Sequence, residues 1–190
     1  MTVPAKARRE SLLLSVSPKV LVKFKRPFDK GGSTEGYILN RGPQFFLLAL
    51  VGDDIRFNGF SCIRYRDVRG LEVPAEYAAF VEAALKLRNE RIPGRPKVKL
   101  GTTSELLATA GRAFPIVTIH RENVDPDVCH IGRVVGVDKD KVGLLEINPD
   151  ASWDSRPVAY RTREITRVDF GGSYEDALML VGGSPPTGSS

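Results

Sequence analysis

Histidine, cysteine and methionine occur only twice each in this chain of 190 residues, and tryptophan once. Two cysteines, Cys62 and Cys129, make no disulfide framework and read as reduced thiols of a cytoplasmic protein. No apolar run approaches a membrane span; the longest, Phe45 to Val51, has the length of a strand. Ser11 to Val16 follows a basic start but is too short for a signal peptide, and Lys19, Lys23 and Lys25 come straight after it. Gly31-Gly32-Ser33-Thr34 lacks the lysine of a phosphate loop, there is no nucleophile elbow, and the carboxylates are scattered over loops. Metal-capable residues gather only from His120 to His130, with Glu122, Asp125, Asp127 and Cys129, and there only Cys129 and His130 adjoin. Neighbours on a strand point to opposite faces, so that pair does not share an ion. The expectation is a protein that is not an enzyme and has neither metal nor cofactor.

What the chain does have is a repeat. Leu47-Leu48 recurs as Leu144-Leu145, Asp53 as Asp150, Arg64 as Arg161, Arg66 as Arg163 and Tyr77 as Tyr174, each 97 residues on. Leu50/Ile147, Asp67/Glu164, Val68/Ile165, Leu71/Val168 and Glu72/Asp169 are near-equivalents in the same frame, and no gap is needed across these 31 positions. A self-match at fixed spacing describes architecture: two copies of one unit of about 80 to 90 residues. The net charge of +5 is split between them. Residues 1–100 carry 19 Lys/Arg against 10 Asp/Glu, a net of +9, and residues 101–190 carry 9 against 13, a net of −4. A basic half attracts polyanions, and opposite halves attract one another within or between chains.

In the second copy Thr102 and Glu105 have the spacing of a capping box, and residues 105–112 read as a short helix. Strands follow at 115–120, 131–137, 142–147, 157–161 and 164–170, and Ser173 opens a closing helix with Tyr174, Ala177, Leu178 and Val181 on one face. The first copy keeps this order. Val20, Val22 and Phe24 alternate with Leu21, Lys23 and Lys25; strands 36–40, 45–51, 60–64 and 68–73 follow. Pro74 then sits where a first helical residue would, with Tyr77, Phe80, Val81, Ala84 and Leu85 at helical spacing. Residues 91–101 make a basic Pro/Gly linker between domains 1–90 and 102–183, and 184–190 a disordered tail. Five short strands with flanking helices bend into a small barrel. The expected fold class is mainly β with flanking helices, as two tandem five-stranded small barrels related by internal duplication.

This order resembles the Sm-like (LSm) family of SH3-like barrels. The closing stretch Ile63-Arg64-Tyr65-Arg66-Asp67-Val68, its counterpart Tyr160-Arg161-Thr162-Arg163-Glu164-Ile165, and the second-strand glycines Gly36 and Gly132 carry the resemblance. The second copy, with His120-Arg121-Glu122, Ile131-Gly132-Arg133 and Ile165-Thr166-Arg167-Val168, is also similar to uncharacterised bacterial proteins of this kind. The resemblance implies rings of barrels and single-stranded RNA as a ligand. The family's RNA pocket uses an Asn after the second-strand Gly and an Arg-Gly pair in the closing stretch. Here Phe46 and Val142 hold the first place and Tyr65 and Thr162 follow the arginines, although Asp138 matches the family's loop aspartate. The resemblance therefore implies the barrel and not the uridine pocket.

Lys19, Lys23, Lys25, Arg26 and Lys30 lie on or beside the first strand, where alternate residues share a face. They read as a phosphate-binding stripe or as lysines that guard an edge strand. Lys86, Arg88, Arg91, Arg95, Lys97 and Lys99 extend the basic surface, with Phe28 and Tyr37 near it. The recurring Arg64, Arg66, Arg161 and Arg163 come with Asp67 and Glu164, a pattern that favours structural ion pairs or a subunit contact over an anion site. Trp153, in the loop 148–156, is either an anchor for a partner or a cover for the end of the fold. The function expected is a noncatalytic adaptor or assembly module, with single-stranded nucleic-acid binding through the basic half as the alternative. The expected partners are further copies of the chain in a dimer or small ring, a second protein, or single-stranded nucleic acid, and not a membrane.

Overall fold

Thr102 accepts from the backbone N–H of Glu105 while the Glu105 carboxylate accepts from that of Thr102, and this reciprocal cap starts the helix that divides the chain into two similar halves. The computed structural model describes residues 5–185; residues 186–190, most of the stretch expected to be a disordered tail, lie outside the described residues. The first half comprises α1 (Ala5–Ser15), β1 (Leu21–Lys25), β2 (Thr34–Arg41), β3 (Phe45–Val51), β4 (Phe57–Arg64), β5 (Gly70–Glu72) and α2 (Ala78–Leu87). The second comprises α3 (Thr103–Ala113), β6 (Val117–His120), β7 (Cys129–Val137), β8 (Lys141–Glu146), β9 (Val158–Arg161), β10 (Arg167–Phe170) and α4 (Ser173–Gly182). All ten strands form one antiparallel sheet, ordered β5-β1-β2-β3-β4-β10-β6-β7-β8-β9. Among the described residues no helix is long and apolar enough to cross a membrane.

The halves match strand by strand. Val22 faces Gly36 as Val117 faces Gly132, and Phe24 faces Leu71 as Ile119 faces Val168. The recurring glycines share a steric cause: a Cβ at Gly36 would lie 2.2 Å from the Ala49 carbonyl oxygen, and one at Gly132 2.3 Å from that of Leu145. The gapless repeat of 97 does not hold in space. Leu48 faces Ile38 as Leu144 faces Val134, so Leu48 corresponds to Leu144, and Leu47 to Gly143. Ser61 faces Leu48 as Val158 faces Leu144, and Arg64 faces Phe45 as Arg161 faces Lys141, so the longer spacing returns within β4 from Ser61 on. The second half holds one more residue between Trp153 and Val158 than the first does between Phe57 and Ser61, and the Leu-Leu match is a one-residue slip.

β3 is apolar throughout because both of its faces are covered. Phe46 and Leu48 point into the first half's core with Leu13, Val16, Phe24, Ile63 and Val68. Phe45 and Leu47 point the other way, into a cluster with the linker residues Val98 and Leu100 and with Leu106, Leu107 and Ala110 of α3. α1 was not expected from the sequence. Leu12, Leu13 and Leu14 are consecutive rather than periodic, and among the described residues of this segment only Leu13 and Val16 are buried. The closing helices bury narrower faces than their patterns imply. Val81 and Leu85 pack on Leu21 and Tyr37, and Leu178 on Ile116 and Ile147, while Tyr77, Phe80, Tyr174 and Val181 stay exposed. The strands expected at 68–73 and 164–170 begin later, after single 3-10 turns at Tyr65–Asp67 and Thr162–Glu164.

Candidate assembly site

The halves are joined by backbone pairing between β4 and β10, which sets Ile63 against Arg167, Cys62 against Val168, Ser61 against Asp169 and Phe60 against Phe170. Apolar burial reinforces this ladder. Phe45, Leu47 and Cys62 pack with Leu106, Leu107, Val168 and Phe170, and the rings of Phe114 and Phe170 lie 4.6 Å apart. Among the described residues both cysteines are free thiols, Cys62 buried here and Cys129 exposed.

Two polar networks cross the same seam. The Arg26 guanidinium, its side chain 1% exposed, donates to both oxygens of Glu122 at 2.9 and 2.8 Å and to Asp29 at 2.9 Å. Thr166 completes the group by donating to Glu122 at 2.7 Å. Burial alone would raise the Glu122 carboxyl, but the hydrogen bonds from Arg26 and Thr166 outweigh it and hold the group below its ordinary value. In the second network Asp169 accepts from the Ser61 hydroxyl, lies 2.8 Å from His120 Nε2, and accepts from Arg167 Nε at 2.8 Å. Burial again opposes ionisation, and the Arg167 charge together with His120 and Ser61 keeps the Asp169 carboxyl well below the usual range. Serine, aspartate and histidine meet here as a structural clasp: the aspartate lies between the other two, so the hydroxyl has no histidine base.

The ends of the ten-stranded sheet are β5 and β9. By the pairing above, β9 corresponds to β4 and β5 to β10, so the chain ends on the same two edges that meet in its middle. Pro157, Val158, Ala159 and Arg161 are exposed, Val158 by 40%, and Glu72 is exposed on β5. Each edge carries a backbone rim without a strand partner in the sheet.

The residues expected to bind nucleic acid differ in burial and partners. Lys23 pairs with Glu35 at 2.9 Å, Arg26 is buried in the seam, and Lys30 pairs with Asp127 across it. Lys19, Lys25, Arg91, Arg95, Lys97 and Lys99 are exposed; Arg95 reaches Asn40 at 3.5 Å. Trp153 is half-buried against Ile147, Ala151 and Leu178, and its indole N–H donates to the Gly182 carbonyl at 3.2 Å, so it covers the end of α4. Among the described residues no three His, Cys, Asp or Glu side chains converge to hold a metal ion. The recurring arginines diverge: Arg161 lies 3.9 Å from Glu164 and Arg66 4.0 Å from Asp67, whereas Arg64 is buried with no carboxylate bound. Sequence reasoning missed Ser61, Asp169 and the Arg26–Glu122 pair, because each joins residues about a hundred positions apart and carries no local pattern. No family model, curated protein or solved structure matches the chain.

Proposed function

We propose that the chain is a noncatalytic assembly module: two Sm-like small barrels joined in cis through β4 and β10, which offer β9 and β5 to further copies of the chain. The observation that supports this is the equivalence of edges. The two strands left open at the ends of the sheet are counterparts of the two that pair at its centre. Repeating the central register between chains sets Gly70 against Tyr160, Leu71 against Ala159 and Glu72 against Val158. Head-to-tail pairing of this kind closes into a two-chain or larger ring, and the opposite net charges of the halves favour it.

Sedimentation velocity tests the proposal. Wild-type protein forms a closed oligomer at micromolar concentration. Val158→Glu, which opposes Glu72, weakens association about tenfold or more. Adding Glu72→Lys to Val158→Glu restores it. A wild-type monomer, or a double variant no better than the single one, overturns the reading.

A further inference from the structure

We propose that the cleft where the two halves meet at the start of α3 is a binding site for a phosphate monoester. The cleft encloses about 620 Å³ and is walled by Gln44 and Arg64 from the first half, Thr103 and Ser104 of α3, and Lys139 and Arg163 from the second half.

Arg64 is the decisive residue. It is only 5% exposed, yet its buried Nε and Nη1 have no hydrogen-bond acceptor among the described residues. Nη2 makes one long bond, 3.3 Å, to the Arg163 carbonyl, and the guanidinium carbon lies 5.6 Å from the centre of the Phe45 ring. Asp67 attracts it through space but makes no hydrogen bond with it. Burial first, and the neighbouring Arg66 second, lower the proton affinity of this group. A buried guanidinium without an anion is unfavourable, and an oxyanion in the cleft that Arg64 lines compensates its charge.

The helix points to the same ligand independently. The capping box uses the N–H groups of Thr102 and Glu105, and those of Thr103 and Ser104 have no acceptor inside the helix. The eleven-residue helix thus presents two amides and the positive end of its dipole to the cleft. Ser104 and Thr162 both donate to the Lys139 carbonyl, at 3.1 and 3.2 Å, and pin the β7–β8 turn beside them. The cations lining the cleft, Arg64, Arg66, Lys139 and Arg163, outnumber its acids, Glu10 and Asp140. That excess suits a dianionic monoester better than a singly charged diester, and the volume admits the group esterified to it.

Calorimetric titration of the full-length protein at low ionic strength tests this, with inorganic phosphate, ribose 5-phosphate and dimethyl phosphate as probes. Ribose 5-phosphate gives saturable heat and raises the melting temperature, inorganic phosphate binds more weakly, and the diester binds about tenfold more weakly or not at all. Arg64→Met lowers monoester affinity about tenfold or more, without lowering the melting temperature of the ligand-free protein, because an apolar chain replaces an unpaired buried charge. Lys139→Gln, on the surface, leaves the fold intact and weakens binding several-fold, so the proposal stays testable if the Arg64 variant misfolds. Folded wild-type protein that binds no monoester overturns the proposal, as does diester binding of equal strength or affinity unchanged in both variants.

Discussion

The inner seam and the outer edges are built on the same frame, and they differ in what surrounds the backbone ladder. At the seam, Phe45, Leu47 and Cys62 are fully buried against α3 and β10. Their counterparts beside the outer edge, Lys141, Gly143 and Ala159, are charged, small or exposed. The clasp residues differ likewise: Ser61 and Asp169 bond at the seam, while Val158 and Glu72 occupy those places at the two ends. The seam is thus buried on both sides of its ladder, and the outer edges have the same strand frame with little apolar support. In the proposed assembly the outer contact is therefore the reversible, salt-sensitive one.

The sharpest way to break the comparison is to truncate a side chain on each side. Leu106→Ala at the seam should lower unfolding free energy by about 3 kcal/mol in a urea titration. Lys141→Ala, beside the outer edge, should change it by less than about 0.5 kcal/mol. Equal effects would mean that the seam is not special. Glu122→Gln strands the buried Arg26 beside Asp29 alone and should cost about 3 kcal/mol; the loss should shrink in an Arg26→Met background, which a double-mutant cycle measures. Strong acid should weaken the seam. The Asp169 carboxyl is held below its ordinary value of 3.8, so its stabilising contribution is complete above that pH and is lost as the pH falls below it. Asp169→Asn should flatten the decline of the melting temperature with acid, and an unaltered profile would assign the decline elsewhere. Trp153→Phe should cost about 1 kcal/mol from losing the hydrogen bond to Gly182.

Much of the frame was legible in the sequence because duplication wrote it twice. Asp67/Glu164, Leu71/Val168 and Glu72/Asp169 stand at equivalent places, and Gly36 and Gly132 recur because each faces a carbonyl at close range. The Leu-Leu match misled because an insertion in a turn shifts register without changing composition. The surroundings of the basic residues were not legible for another reason. Charge counts do not show that Arg26 turns inward to Glu122, a partner in the other half. Arg64 and Arg161 look alike in sequence, but only Arg64 lies under the second half, where burial separates their roles. The pairing of β4 with β10 was beyond local pattern altogether, since edge strands of either half read the same until one of them is covered.

Disulfide trapping tests the repeated contact most directly. In a Cys129→Ser background, Glu72→Cys with Val158→Cys places one thiol on each terminal strand of the sheet. If β9 of one chain pairs with β5 of the next in the register of the central seam, mild oxidation yields covalent oligomers that collapse to a single species on reduction. Moving one cysteine out of register, as Arg161→Cys with Glu72→Cys, should abolish the product. Folded double-cysteine protein that stays monomeric on oxidation, or cross-links equally in both registers, would contradict the account.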